Sequence, residues 1–321
     1  MAIFTGMSKA LGGTEKESQK ELYFYGLVQQ HVLVTGGDGQ LGCALRALIG
    51  KMNLPFRFYF TDAGELDITD RSQIESFVVG QQIRYILNCA AYTAVDKAEE
   101  EREMAFTINA AGVENIALVA KQYGVKVIHL STDFVFDGAS TIPYDEESEP
   151  HPLSVYGETK LKGEQLLQAA GGEWLILRTS WLYSEYGSNF VKTMLRLMRE
   201  RELLTVVDDQ RGSPTYATDL AEMMIHILQQ SEANGWTDGL FHFSNRGQTS
   251  WYGFADAIRR VAGIENCKLV PVTTAEYPTA ARRPAYSVMD LTKISDRFRV
   301  EIPTWEEALQ RCLQKILQTE S

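Results

Sequence analysis

Tyr156 and Lys160 stand four residues apart in the stretch Ser154-Val155-Tyr156-Gly157-Glu158-Thr159-Lys160. Pro150 and Pro152 lie just upstream and Ser154 is a capping residue, so the pattern predicts a helix starting here. On a helix, positions i and i+4 share a face, which aims the phenol and the ammonium at one site. A free phenol titrates near ~10, too high to pass a proton efficiently at neutral pH. A neighbouring ammonium favours the phenolate and brings that value toward working pH. The pair also occurs by chance on exposed helix faces, so the rest of the chain has to support it.

A third group fits the same chemistry. Val125 to Leu130 reads as a strand that ends in Ser131-Thr132-Asp133. Open α/β sheets bind ligands at the carboxyl ends of their strands, which is where this places Thr132. Its hydroxyl is suited to polarising a carbonyl, or to capping the turn.

A proton donor of this kind needs a redox partner, and the start of the chain offers a place for one. His31-Val32-Leu33-Val34-Thr35 reads as a buried strand, Gly36-Gly37-Asp38-Gly39-Gln40-Leu41-Gly42 as a glycine turn, and Cys43 to Ile49 as a helix. Strand, glycine turn and helix in that order form the dinucleotide fingerprint. Gly36 and Gly39 allow a tight turn and close approach of a pyrophosphate, and the helix N-terminus, with Gln40 and Leu41 in the turn that leads into it, offers N–H donors to the anion. Asp62, after the strand Arg57 to Phe60, lies 20 residues beyond Gly42, near where an acid meets the ribose 2′-hydroxyl of NAD. A turn aspartate fits the position equally well. As a ribose ligand Asp62 would repel a 2′-phosphate and favour NADH over NADPH. Asp67 and Ile68 are placed to reach an adenine edge. The strand Tyr85 to Asn88 runs out into Cys89-Ala90-Ala91 and then Tyr92-Thr93, small residues that let a cofactor lie across the sheet edge.

Elements that would position these residues alternate strand and helix from residue 30 to about 180. The pattern predicts an α/β fold, a Rossmann-type doubly wound parallel sheet. Residues 181–321 are expected to form mainly a smaller substrate-binding α/β domain, with a segment near 204–230 returning to the first. Residues 1–29 read as an N-terminal extension without the features of a signal peptide. The loop after Thr179 carries Trp181, Tyr183 and Tyr186, and Arg282 and Arg283 stand in a later loop. Aromatic rings and guanidinium groups suit a ligand with a ring and a phosphate, although packing accounts for any single aromatic as well.

Composition narrows the field. A formal net charge of −11 argues against a general nucleic-acid or anionic-membrane surface. The four cysteines form no CxxC pair, which indicates a reduced, cytoplasmic chain. The five histidines show no metal-ligand spacing, so no metal is placed. No apolar run approaches the ~18 residues of a membrane span.

With these residues in place, the chain resembles the extended short-chain dehydrogenase/reductases, and among them the dTDP-4-dehydrorhamnose reductase family. The matching stretches are Gly39-Gln40-Leu41-Gly42, Asn88 to Glu99, Ser131 to Gly138, Val155 to Lys160, Arg178-Thr179-Ser180-Trp181, Asn189-Phe190, Asp209 to Thr215 and Ala281-Arg282-Arg283-Pro284. They run in order from about residue 31 onward. The resemblance implies Thr132, Tyr156 and Lys160 as a catalytic triad, with Tyr156 and Lys160 also touching the cofactor. It implies Trp181 and Val95 beside the sugar nucleotide, and Asn189 near its diphosphate. The family is read as using NADPH, with NADH accepted by some members, which disagrees with a strict reading of Asp62. A magnesium ion at a dimer contact occurs in the family. Asp290-Leu291-Thr292-Lys293 does not supply that pattern, and a homodimer stays open. The implied reaction is reduction of the C4 ketone of a dTDP-linked 4-keto-6-deoxy sugar. Its alternatives are another nucleotide-sugar reductase or epimerase, or a non-catalytic NADP-binding subunit resembling the one that regulates methionine adenosyltransferase.

Overall fold

Period-two packing builds the centre of the molecule. In β1 (Gln30–Thr35), Val32 and Val34 face one apolar cluster and Leu33 faces another, all three fully buried. A strand covered on both faces reads as one apolar run, which is why this stretch shows no polar alternation. The computed structural model describes residues 29–320. The expected extension therefore lies outside the described residues, apart from Gln29.

In chain order, β1 is followed by α1 (Gln40–Ile49), β2 (Phe56–Thr61), α2 (Arg71–Gly80) and β3 (Ile83–Asn88). Next come α3 (Arg102–Phe106), a π-helical turn at Thr107–Ala111, α4 (Gly112–Tyr123), β4 (Lys126–Thr132), α5 (Val155–Ala170) and β5 (Trp174–Thr179). The later elements are β6 (Leu182–Tyr183), α6 (Phe190–Glu200), β7 (Leu203–Val207), β8 (Arg211–Gly212), β9 (Thr215–Tyr216), α7 (Ala217–Asn234) and β10 (Gly239–His242). The chain closes with β11 (Thr249–Ser250), α8 (Trp251–Val261), β12 (Lys268–Val272), α9 (Thr292–Phe298) and α10 (Trp305–Glu320).

The main sheet has the order β10-β5-β4-β3-β1-β2, and every neighbouring pair is parallel. The chain steps outward from β1 to β2, then crosses to the other side of β1 to make β3. That reversal opens a crevice at the carboxyl ends of β1 and β3, where such sheets take ligands. One apolar layer joins β1 and β3 to α1, α7 and α9 through Leu45, Leu220, Met224 and Ile294. The opposite layer holds α2 and α4 through Ile74, Val78, Val113 and Ile116. This is the doubly wound α/β fold, with helices on both faces of one parallel sheet.

A second lobe has its own core of Tyr183, Val191, Leu195, Phe254, Ile258, Leu309 and Leu313. The segment around 204–230 divides between the lobes. Leu203–Val207 pairs with Lys268–Val272 in the second lobe, whereas α7 packs on α1 in the first. The first lobe also takes β10 as an edge strand on β5, from well beyond residue 181. Among the described residues no helix is long and apolar enough to cross a membrane.

Candidate active site

Helix α5 starts where it does because Ser154, in extended backbone, caps it: its hydroxyl accepts the Gly157 N–H at 3.2 Å. Residue 157 has no room for a side chain, since a Cβ there would lie 2.3 Å from the Phe134 carbonyl oxygen. The helix start is thereby pressed onto the turn that leaves β4, and this brings Tyr156 to Thr132. The Phe134 ring meets the Tyr156 ring edge-on at 5.5 Å. Thr132 comes close enough for its hydroxyl to oppose the rise in the titration of the Tyr156 phenol. It also accepts the Phe134 N–H at 3.2 Å and lies 3.2 Å from an Asp133 carboxylate oxygen.

One turn on, Lys160 is buried and its Nζ donates to the Leu130 carbonyl oxygen at 2.6 Å. Burial pulls its ammonium down to about 8, against the favourable charge of Glu164. Burial pushes the Tyr156 phenol up to about 12, Asp133 adds to this, and the Thr132 hydroxyl opposes it. The expectation that Lys160 tunes Tyr156 downward therefore does not hold in this state of the site. The Lys160 ammonium is turned onto a main-chain carbonyl. Asp133 is raised to about 6 by burial, against hydrogen bonding from Ser287 and Thr132.

The glycine turn lies at the neighbouring strand ends. Gly36 adopts φ +66°, and a Cβ there would come within 2.8 Å of the Ala90 nitrogen. Only glycine allows β1 and β3 to end this close together. Gly39 caps α1 with no side chain, so the first-turn N–H groups, those of Gln40 and Leu41 among them, face the crevice without a capping group. Asp62 accepts the Asp38 N–H at 2.8 Å and so ties the glycine turn to the end of β2. Its carboxyl is raised, first by burial, with Asp38 and Glu65 adding to it. Ala90 and Ala91 are half-buried at the end of β3 and Thr93 is exposed.

These features fit a dinucleotide: a cradle that tolerates no Cβ, a helix start with free donors, and an acid at the end of β2. Asp67 and Ile68 fit less well than expected. One Asp67 carboxylate oxygen turns back onto the Thr69 N–H and hydroxyl at 2.9 and 2.8 Å. The Ile68 side chain is 5% exposed and packs in the apolar layer, so it does not reach into the crevice.

On the second-lobe side, Trp181 stacks on Trp251 with ring centroids 3.5 Å apart and planes 7° apart. Its backbone is left-handed, at φ +46°. Asn189 caps α6, accepting the Lys192 N–H at 3.2 Å. Its amide nitrogen is taken by the Gln40 side chain at 2.9 Å and by the Ser184 carbonyl at 2.8 Å. Asn189 thus bridges the lobes instead of presenting a free group to a diphosphate, and the Gln40 amide oxygen is occupied in the same contact. Arg283 places both terminal nitrogens on Asp96, at 3.0 and 2.6 Å, so it too is committed within the protein. Arg282 beside it is exposed, and Val95 is half-buried next to Asp96.

Residues 30–318 match the family model described as the RmlD substrate binding domain. The dTDP-4-dehydrorhamnose reductase of Aggregatibacter actinomycetemcomitans is 43% identical over 285 residues, covering 87% of this chain and 97% of the relative. That of Escherichia coli K12 is 42% identical over 296 residues, covering 90% and 99%. The chain belongs to the dTDP-4-dehydrorhamnose reductase family. A crystal structure of the Bacillus anthracis family member in complex with NADP is similar at TM-score 0.84 and 40% identity, over 90% of this chain and 100% of that one. The Thermus thermophilus UDP-glucose 4-epimerase in complex with NAD, at 19% identity and TM-score 0.74, shares the fold.

Several polar residues of the site are given no role by the motifs, even where they lie within them. Glu164 and Arg178 form a buried ion pair behind Lys160, 2% and 3% exposed at their side chains. A charged residue in a buried strand is itself the signal that could have found Arg178. Asn109, in the π-helical turn, has its side chain on both main-chain groups of Tyr92 and on the Thr159 hydroxyl. Irregular helical turns of this kind concentrate at functional sites, but no local pattern marks one in the sequence. Asn88 links Thr35 and His129 at 2.7 and 2.9 Å beneath the same strand ends.

Proposed function

We propose that this chain reduces the C4 ketone of dTDP-4-dehydro-L-rhamnose to dTDP-L-rhamnose, with NADPH or NADH as reductant. The observation that carries the reading is the start of the Tyr156 helix pressed onto the turn that follows Thr132 at the carboxyl end of β4, with a buried Lys160 one turn on and the glycine crevice at the neighbouring strand ends. The reductases to which it is similar carry that activity in their names, and one of them holds NADP.

Gly36, Gly39, Gln40 and Leu41 would hold the pyrophosphate by backbone, Asp62 the ribose, and Ala90, Ala91 and Thr93 the ring side. When bound there, the nicotinamide supplies a hydride to the carbonyl carbon. Tyr156 gives its proton to the ketone oxygen as charge builds there. Raised to about 12, the phenol holds its proton at neutral pH, and to give it up efficiently it has to be brought back toward working pH by positive charge in the loaded site. Thr132 holds the same oxygen and stabilises the phenolate left behind, which solvent then reprotonates. Lys160 contributes positive charge to that phenolate once substrate is bound. Trp181 and Val95 would flank the sugar nucleotide. The site then acts mainly by orientation and preorganised polarity.

Oxidation of NADPH followed against a panel of nucleotide-linked 4-keto sugars tests the reading. Turnover with the dTDP-linked ketone is expected. Tight NADPH binding without turnover of any sugar would replace it with a regulatory binding role.

A further inference from the structure

The loop after β3 is held at three points, each by a different part of the chain. At Tyr92, the Asn109 side chain takes both main-chain groups, at 2.8 and 3.0 Å. Four residues on, Asp96 meets the second lobe. It accepts the Ala281 N–H at 3.0 Å and two nitrogens of Arg283 at 3.0 and 2.6 Å. Arg283 is steered there by Thr279 and the Ala281 carbonyl, and only 22% of its side chain is exposed. Three residues further, Glu99 accepts the N–H of Val155 at 2.9 Å, the first residue of α5 and the neighbour of Tyr156. Asp96 and Glu99 sit on one short turn, closed by the Glu99 N–H on the Asp96 carbonyl at 3.3 Å and anchored by the fully buried Ala98.

Neither acid stands among the groups that move a proton or a hydride. A two-pronged guanidinium–carboxylate contact fixes orientation as well as distance. A carboxylate on a helix's first N–H groups holds that end in place and suits its dipole. We propose that Asp96 and Glu99 are positioning residues for the reduction. Their shared turn clasps the 279–283 loop of the second lobe on one side and fixes the start of the Tyr156 helix on the other. This rests on the reductase reading above. The sugar nucleotide is bound between the same two lobes in that reading, so the clasp sets the width of its cleft, and Val95 moves with it. Loss of Asp96 therefore acts on substrate binding, and loss of Glu99 on the placement of the proton donor.

The test uses the full chain with NADPH and the dTDP-linked ketone. Asp96→Ala and Arg283→Ala should each raise KM for the sugar by roughly tenfold, the scale of one lost charge-assisted contact, with NADPH affinity unchanged. Their double variant should be no worse than the poorer single, because the two side chains act as one unit. Glu99→Ala should lower kcat, and Glu99→Gln, which keeps an oxygen for the Val155 N–H, should restore it. Where Asp96→Ala fails to fold, Asp96→Asn keeps an acceptor for Ala281 and gives the same KM readout. Wild-type KM in the folded Asp96 and Arg283 variants overturns the clasp, and wild-type kcat in Glu99→Ala overturns the anchor. If the wild type itself turns nothing over, the reductase reading fails on its own. Amide hydrogen exchange then decides the clasp: faster exchange across 279–283 in the Asp96 variant supports it, and unchanged exchange overturns it.

Discussion

Glu164 and Arg178 face each other in the interior through two contacts, 2.9 and 2.7 Å, one helical turn beyond Lys160. The carboxylate is the main charge that favours the Lys160 ammonium against its burial. Glu164→Gln removes that support, so Lys160 should titrate still further below its ordinary value. The alkaline limb of the pH–rate profile should then move to lower pH. The change also leaves Arg178 without its counter-charge, a loss of roughly 3–5 kcal/mol for a broken buried pair, visible in denaturant unfolding. An alkaline limb that stays put in a folded variant would separate Glu164 from Lys160.

Tyr156→Phe removes one hydroxyl and little volume, so folding and cofactor binding should survive. Without its acid the reaction should lose about 10²- to 10⁴-fold in kcat. Lys160→Met should also be severe. If the two act as a unit, the double variant should be little worse than the poorer single one. Steady-state NADPH oxidation by all four proteins reads this directly, and wild-type turnover in Tyr156→Phe would refute the proton donor.

How much of this was legible beforehand depends on how far apart the partners are in sequence. The Gly36–Gly42 turn, the Tyr156–Lys160 spacing and the Ser154 cap are local, and helix and strand periodicity places them without knowledge of the rest. The parallel sheet follows from the same alternation through β5. Its sixth strand does not: β10 lies past a lobe-sized insertion, and four residues of strand pattern do not say which edge they will join. Contacts made across the lobes were the least visible. Asp96 and Arg283 are 187 residues apart, and each alone reads as a solvated charge or a ligand contact. Asn189 reads equally well as a diphosphate ligand or as the cap and bridge it is here. Ile68 reads as an adenine contact because an apolar residue beside a strand end can turn either way, and the close approach of Gly112 draws it inward.

Asp62 offers a cofactor test with two separable outcomes. Its carboxylate holds the Asp38 N–H and stands at the end of β2, where a ribose would lie. Asp62→Ala should weaken both cofactors by loosening the glycine turn. It should weaken NADH more, because the negative charge facing a 2′-phosphate goes with it. Dissociation constants for NADH and NADPH, measured by nucleotide fluorescence, give the ratio. Equal losses for the two would leave Asp62 as a residue of the turn alone.

His242 should set part of the acid stability of the fold. Its side chain is fully buried at the end of β10, with Nδ1 3.1 Å from the Tyr144 carbonyl oxygen and the Phe136 ring edge-on to it. Burial, with Arg178 adding to it, lowers the imidazole to about 3 from an ordinary 6.5. Between those values the unfolded chain binds a proton that the folded chain does not. Stability therefore rises with pH through that window and is lost as pH falls from 6.5 toward 3. The full excursion corresponds to roughly 5 kcal/mol as an upper bound. Asp133 works in the opposite sense: its raised carboxyl, at about 6, lets the folded chain gain a proton first, so acidification favours folding through that group. It is common to wild type and variant and cancels between them. His242→Asn can still donate to the Tyr144 carbonyl but has no titrating ring. The variant should be less stable than wild type at neutral pH, through lost packing, yet lose less of its stability between pH 6.5 and 4. Urea unfolding across that range gives both slopes, and parallel curves would show that His242 carries no proton linkage.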